Sequence, residues 1–215
     1  MDNKEILSHV DHTLLKATST EEQIRKICEE ALKNNTAAIC IPPAYVKFAA
    51  ENYPGLKVAT VIGFPLGYNT TAVKVFETKE ALKEGAEEID MVINIGWAKD
   101  QYFDKITEEI KELKAVCGDK HLKVIIETCY LNEEEKIALC KCVTDAGADY
   151  IKTSTGFGTA GATLEDVKLF KEHIGPKVKI KAAGGIRTRE DMEAYLNEGI
   201  DRIGCSAAVS LLGEK

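Results

Sequence analysis

No run of apolar residues in the 215-residue chain approaches the ~20 that a membrane-crossing helix needs, which argues against a helical membrane protein. The first ten residues, MDNKEILSHV, lack the apolar core of a secretory signal, so a cytoplasmic location is expected. Cys-x-x-Cys pairs are absent, and the cysteine count of seven is odd. Cys140 and Cys142 stand one residue apart with no nearby His or Cys to complete a zinc site. His9, His121 and His173 share no ligand spacing. Free, mostly buried thiols and no bound metal are therefore expected. Positive charge is in deficit: 28 Lys and Arg face 35 Asp and Glu, a formal net charge of -7. Like charge repels, so neither nucleic acid nor an anionic membrane is the expected partner. An anionic substrate would have to be held by local groups instead. The five prolines are too scattered to form a linker.

What remains is a chain that is 45% hydrophobic and long enough to bury one core. The expected organisation is a single domain over residues 1–215. Short apolar runs at roughly 9–14, 37–41, 57–62, 88–94, 121–127, 149–153, 178–183 and 202–205 read as strands. Helical stretches lie between them. After Ala98, the residues Ile106, Ile110, Leu113 and Val116 form one stripe that stops at Gly118. Ser19 before Glu22, Thr163 before Asp166, Thr188 before Asp191, and Asn132 before Glu133, Glu134 and Glu135 are helix-start signals.

Eight strand–helix units could form an open sheet or a closed barrel. Eight units in 215 residues are about 27 residues each, compact but sufficient for a barrel. A repeat decides between them. Asn35, Gly85, Gly147 and Gly199 are helix-ending residues, and five positions after each comes Cys40, Asp90, Lys152 and Gly204 respectively. These four lie on the second, fourth, sixth and eighth strands, and alternate strands of a barrel share one interior layer. The expected fold class is α/β, a single-domain TIM (β/α)8 barrel with a short N-terminal helix.

A barrel interior is expected to be aliphatic, so charges in it call for an explanation. Asp90 and Lys152 occupy the inferred layer, and Lys181 ends the seventh strand, all at the strand ends where barrel enzymes place their sites. Each has a plainer reading: Asp90 and Lys152 as a structural ion pair, Lys181 as one of a solvated row with Lys177 and Lys179. Together they form a chemical set. A second ammonium and removal from water both lower the pKa of Lys152, and a free amine can attack a carbonyl. Asp90 can then move protons. The protonated imine would serve as the electron sink, so no cofactor is expected.

Loops after strands seven and eight are the usual phosphate position in this barrel. Here they read Ala183-Gly184-Gly185-Ile186-Arg187-Thr188 and Gly204-Cys205-Ser206-Ala207, with glycines that admit close backbone approach. Gly156, in the Ser154-Thr155-Gly156 turn, offers further donors. His12 is read as structural, and Cys40 as a neighbour of the site without a catalytic role.

At these residues the sequence resembles the deoxyribose-phosphate aldolase family over nearly its whole length. The segments are Asp11-His12-Thr13-Leu14-Leu15-Lys16, Ala38-Ile39-Cys40-Ile41-Pro42-Pro43, Val61-Ile62-Gly63-Phe64-Pro65-Leu66-Gly67, Glu88-Ile89-Asp90-Met91-Val92-Ile93-Asn94, Ile151-Lys152-Thr153-Ser154-Thr155-Gly156-Phe157 and Lys181-Ala182-Ala183-Gly184-Gly185-Ile186-Arg187. The resemblance implies reversible cleavage of 2-deoxy-D-ribose 5-phosphate to acetaldehyde and glyceraldehyde 3-phosphate. It implies a Schiff base on Lys152, a proton-relay acid at Asp90 and a perturbing lysine at Lys181. The partners it implies are small phosphorylated sugars and aldehydes; a homo-oligomer is left open. Relatives often carry a serine where Ala207 stands, some a lysine at Phe157, and some a C-terminal tyrosine absent from Leu211-Leu212-Gly213-Glu214-Lys215. Three other readings stand beside this one: a Schiff-base aldolase for another sugar phosphate, a non-catalytic sugar-phosphate barrel, and a barrel with a pyridoxal imine on Lys152.

Overall fold

A computed structural model describes residues 1–214. Among them, eight parallel strands pair in chain order and close on themselves. They are β1 (Val10–Thr13), β2 (Ala38–Ile41), β3 (Val58–Ile62), β4 (Glu88–Val92), β5 (His121–Ile125), β6 (Tyr150–Lys152), β7 (Lys179–Ala183) and β8 (Arg202–Cys205). The closing register sets Val10 against Ile203, Asp11 against Gly204 and His12 against Cys205. Around the barrel run α1 (Asn3–Leu7), α2 (Glu21–Asn34), α3 (Val46–Asn52), α4 (Thr71–Lys83), α5 (Ile95–Lys99), α6 (Phe103–Cys117), α7 (Glu133–Asp145), α8 (Leu164–His173), α9 (Arg189–Glu198) and α10 (Ala208–Leu212). The expected barrel and its short N-terminal helix are both present. No described helix is long and apolar enough to cross a membrane.

Local chemistry explains the boundaries. Asn132, Thr163 and Thr188 cap α7, α8 and α9 through their side chains. At α2 the cap is Thr20, with Gln23, rather than Ser19 with Glu22. Ser19 is occupied elsewhere, its hydroxyl donating to the Lys16 carbonyl at 2.7 Å. On α6, Ile106, Ile110 and Leu113 are buried as expected, but the next inward residue is Cys117, and Val116 is only half-buried. A step of four keeps the stripe on the 3.6-residue period where a step of three drifts off it. Asn35, Gly85, Gly147 and Gly199 all adopt the left-handed conformation that the five-residue repeat presupposed.

The strands present two different faces. Outward residues such as Ile39, Ile41, Ile62, Ile89, Met91, Ile151 and Ile203 pack beneath the helices in one continuous core. The inward face departs from the aliphatic expectation. Ala38, Cys40, Ala59 and Val61 make a small apolar cluster on one side. Most of the rest is occupied by Asp11, Glu88, Asp90, Lys123, Lys152, Lys181 and Arg202, none more than 8% exposed, with Tyr150 beside Lys123 and Arg202. Charges survive in a barrel centre because each is paired, and the pairs are linked into one network.

Candidate active site

Asp90 stands at the centre of the network. Its Oδ1 accepts a hydrogen bond from Lys123 at 2.8 Å, and its Oδ2 accepts from Lys152 at 2.8 Å and Lys181 at 2.7 Å. Lys181 also donates to Asp11. Below them Arg202 bridges Asp11 and Glu88, and Lys123 closes the circuit on Glu88 at 2.6 Å. The pleat brings this about, because residues two apart on one strand face the same side. Glu88 and Asp90 on β4 therefore project into one space, as do Arg202 and Gly204 on β8. Gly204 leaves room that Lys181 uses: a methyl group there would lie 3.2 Å from Lys181 Cε and 2.9 Å from Ala183 Cβ.

Three carboxylates thus face four basic groups, and an electrically balanced interior needs one base without its proton. The surroundings single out Lys152. Burial pushes its pKa below the ordinary lysine value; Asp90 opposes that shift, and the Lys181 cation adds to it. For Lys181, burial is outweighed by Asp11 and Asp90, which hold it up at about 12. Burial would also lower Lys123, yet Asp90, Asp11 and Glu88 raise it well above the lysine range. Arg202 is likewise raised, burial being overcome by Asp11 and Glu88. Burial works to raise Asp90, but Lys123, Lys152 and Lys181 hold it well below the usual carboxylate range. The arrangement therefore holds three bases with raised pKa values, Lys123, Lys181 and Arg202, and one with a lowered pKa, Lys152, the amine best suited to act as a nucleophile.

That amine opens into a cavity of about 260 Å³ at the C-terminal mouth of the barrel. Every residue expected at a phosphate site lines the same cavity: Gly156, Gly184, Gly185, Ser206 and Ala207. Two cationic residues also line it, Lys16 and Arg187, supplying local attraction for an anion in an acidic protein. Phe157, where some relatives have lysine, is 54% exposed at its rim and packs edge-on against Phe64, with ring centroids 5.4 Å apart.

The structure brings Lys152, Asp90 and Lys181 together. It also sets Lys181 apart from the row it could have joined: Lys177 and Lys179 are exposed while Lys181 is wholly buried. His12 is structural, its Nε2 lying 2.8 Å from Glu30. Cys40 is buried in the inferred layer, and burial raises its thiol pKa to about 11. Sequence reasoning missed Asp11, Glu88, Lys123 and Arg202. For two of them a signal was present: β4 and β5, like β7, carry their titratable residues at alternate positions (Glu88 and Asp90; His121 and Lys123; Lys179 and Lys181), although alternation also marks a solvated face; Asp11 and Arg202 stand without such a partner on β1 and β8.

Comparison with known proteins agrees with this fold. A family model for DeoC/LacD family aldolases matches residues 6–212. The deoxyribose-phosphate aldolase of Clostridium botulinum (strain Alaska E43 / Type E3) is 64% identical over 213 residues, covering 99% of this chain and 96% of the relative. Among solved structures, an aldolase designated QR15 superposes with a TM-score of 0.93 at 40% identity, covering 97% of this chain and 94% of its own. The deoxyribose phosphate aldolase of Aeropyrum pernix, described as a unique tetramer, superposes with a TM-score of 0.88 at 32% identity, covering 98% and 91%.

Proposed function

This chain belongs to the DeoC/LacD family of aldolases, and from that premise we propose that it reversibly cleaves 2-deoxy-D-ribose 5-phosphate to acetaldehyde and D-glyceraldehyde 3-phosphate through a Schiff base on Lys152. The observation that carries this reading is the buried amine of Lys152, depressed in pKa and bonded to Asp90, inside a cavity whose far wall is the glycine cradle. Family membership sets aside a non-catalytic barrel.

The steps follow from the positions. Neutral Lys152 donates one N–H to Asp90 Oδ2, which leaves its lone pair free to attack the C1 aldehyde of the open-chain sugar. Loss of water from the carbinolamine gives a protonated imine. Removal of the C3 hydroxyl proton then breaks the C2–C3 bond, and the electron pair enters the imine to leave an enamine. Glyceraldehyde 3-phosphate departs, C2 is protonated, and hydrolysis of the imine frees acetaldehyde and restores the amine. Asp90 and Lys181 sit where they can pass protons during these steps, directly or through water. Gly156, Gly184, Gly185, Ser206 and the backbone at Ala207 hold the phosphate, with Lys16 and Arg187 adding charge. For the two-carbon donor, Leu14 and Leu15 line the cavity with Lys152, and Leu15 packs on the apolar cluster containing Cys40 and Val61. That lining favours acetaldehyde over a polar donor.

Incubation with acetaldehyde followed by borohydride should leave an ethyl group on Lys152, located by peptide mass mapping. Modification at another lysine, or none, sinks the assignment. A homo-oligomeric state belongs to the same proposal, supported by the tetrameric Aeropyrum pernix relative and by outward-facing Val73 and Phe76 on α4. A cytoplasmic location is supported by seven cysteines that are all free thiols.

A further inference from the structure

We propose that Glu127 is a positioning residue that shapes the phosphate cradle from behind, a role that rests on the phosphate site of the preceding subsection. Glu127 lies just beyond β5 and takes no part in the steps described above. Three observations set it apart. Its backbone is left-handed, with φ 55°, a conformation that a non-glycine residue adopts at a cost. Its side chain is buried, the residue being 2% exposed. Among the described residues it pairs with no cation; both carboxyl oxygens are spent on Thr155, accepting its backbone N–H at 3.1 Å and its hydroxyl.

Thr155 in turn accepts the backbone N–H of Phe157 at 3.0 Å, so one carboxyl group organises the turn in which Gly156 sits. The chain then runs against the carboxyl group itself: a methyl group at Gly158 would lie 3.2 Å from Glu127 Cδ and 2.7 Å from Cys129 Sγ. At its far end the same loop docks on the other half of the cradle. Ala162 N–H reaches the carbonyls of Ala183 and Gly184 at 3.1 Å each, and Gly161 packs so tightly on the Gly184 carbonyl that no side chain fits between them. Thr155, Gly156 and Gly184 all line the cavity. Glu127 therefore connects the end of β5 to both glycine turns, and its strained backbone persists where it aims the carboxyl group at Thr155.

A residue that merely stabilised the fold would affect every substrate alike, whereas one that shapes the cradle affects substrates in proportion to their use of phosphate. Steady-state kinetics with 2-deoxyribose 5-phosphate and with unphosphorylated 2-deoxyribose separates the two. Glu127→Gln keeps the side-chain shape and breaks no ion pair, but offers one acceptor oxygen where the carboxylate offers two, so either the N–H or the O–H of Thr155 loses its partner. The variant should raise KM for the phosphorylated sugar about tenfold, leaving kcat and the kcat/KM of plain deoxyribose within about threefold. Glu127→Asp, which keeps the charge but shortens the reach to Thr155, should do likewise to a smaller degree and carries the test if the Gln variant is insoluble. Equal losses on both substrates, or an unchanged preference for phosphate, would overturn the role of Glu127. If the unaltered enzyme shows no preference for the phosphorylated sugar, the phosphate site itself is wrong and the role of Glu127 falls with it.

Discussion

Lys152 and Lys181 donate to the same oxygen, Asp90 Oδ2, at 2.8 and 2.7 Å, yet the two amines are shifted in opposite directions. The difference lies in how the carboxylates are shared. Lys123 lies within 4 Å of three, Asp11, Glu88 and Asp90; Lys181 and Arg202 each lie near two; Lys152 has Asp90 alone among the described residues. Burial disfavours every one of these cations, and only Lys152 lacks enough negative charge to offset it. The lowered pKa of Lys152 thus follows from leaving one base short of counter-charge.

This sharing predicts an inversion of the usual conservative substitution. Lys152→Met and Lys152→Arg should both lose turnover by at least about a thousandfold, because neither supplies an amine. Their stabilities should differ. Methionine keeps three anions against three cations, while arginine adds a permanent fourth cation and should unfold about 1–3 kcal/mol more easily in urea. An arginine variant more stable than the methionine variant would mean that Lys152 is charged in the resting protein.

Lys181→Met should move the rising limb of the pH–rate profile to higher pH. The sign follows from the causes: burial and the Lys181 cation lower the Lys152 pKa, so removing the cation raises it. The free-amine fraction then appears later as pH rises. Measuring kcat/KM across the neutral to alkaline range checks this, and an unmoved limb refutes the coupling.

The network also sets the response to acid. Asp11, Glu88 and Asp90 have folded pKa values below the ordinary carboxylate range; burial would raise each, and the surrounding cations lower them further. Their contribution to stability is therefore complete above about pH 4 and is lost as pH falls from there toward the depressed folded values. Arg202→Met removes a cation shared by Asp11 and Glu88, so its acid unfolding midpoint, followed by circular dichroism, should lie at higher pH than that of the unaltered protein. An equal midpoint would show that Arg202 does not carry this stabilisation.

Much of this was legible in the sequence. The eight strands, the caps at Asn132, Thr163 and Thr188, and the four helix-ending residues that put Asp90 and Lys152 in one layer all rest on contacts within a few residues. Hydrophobic period and capping chemistry report such contacts directly. The glycine loops after β7 and β8 were readable for the same reason.

The charged network around Lys152 depends on closure. Asp11 and Arg202 are 191 positions apart and meet only because β1 pairs with β8. An alternating charge on a strand looks the same whether its face meets water or a sealed barrel, so sequence spacing left Lys123 and Arg202 unread. Glu127 was hidden similarly, its partner Thr155 lying 28 residues away on another loop. Local chemistry placed Lys152 at the strand end; the closed ring decided which carboxylates reach which cations in the buried interior, and so why Lys152 is the lysine of the network whose pKa is lowered.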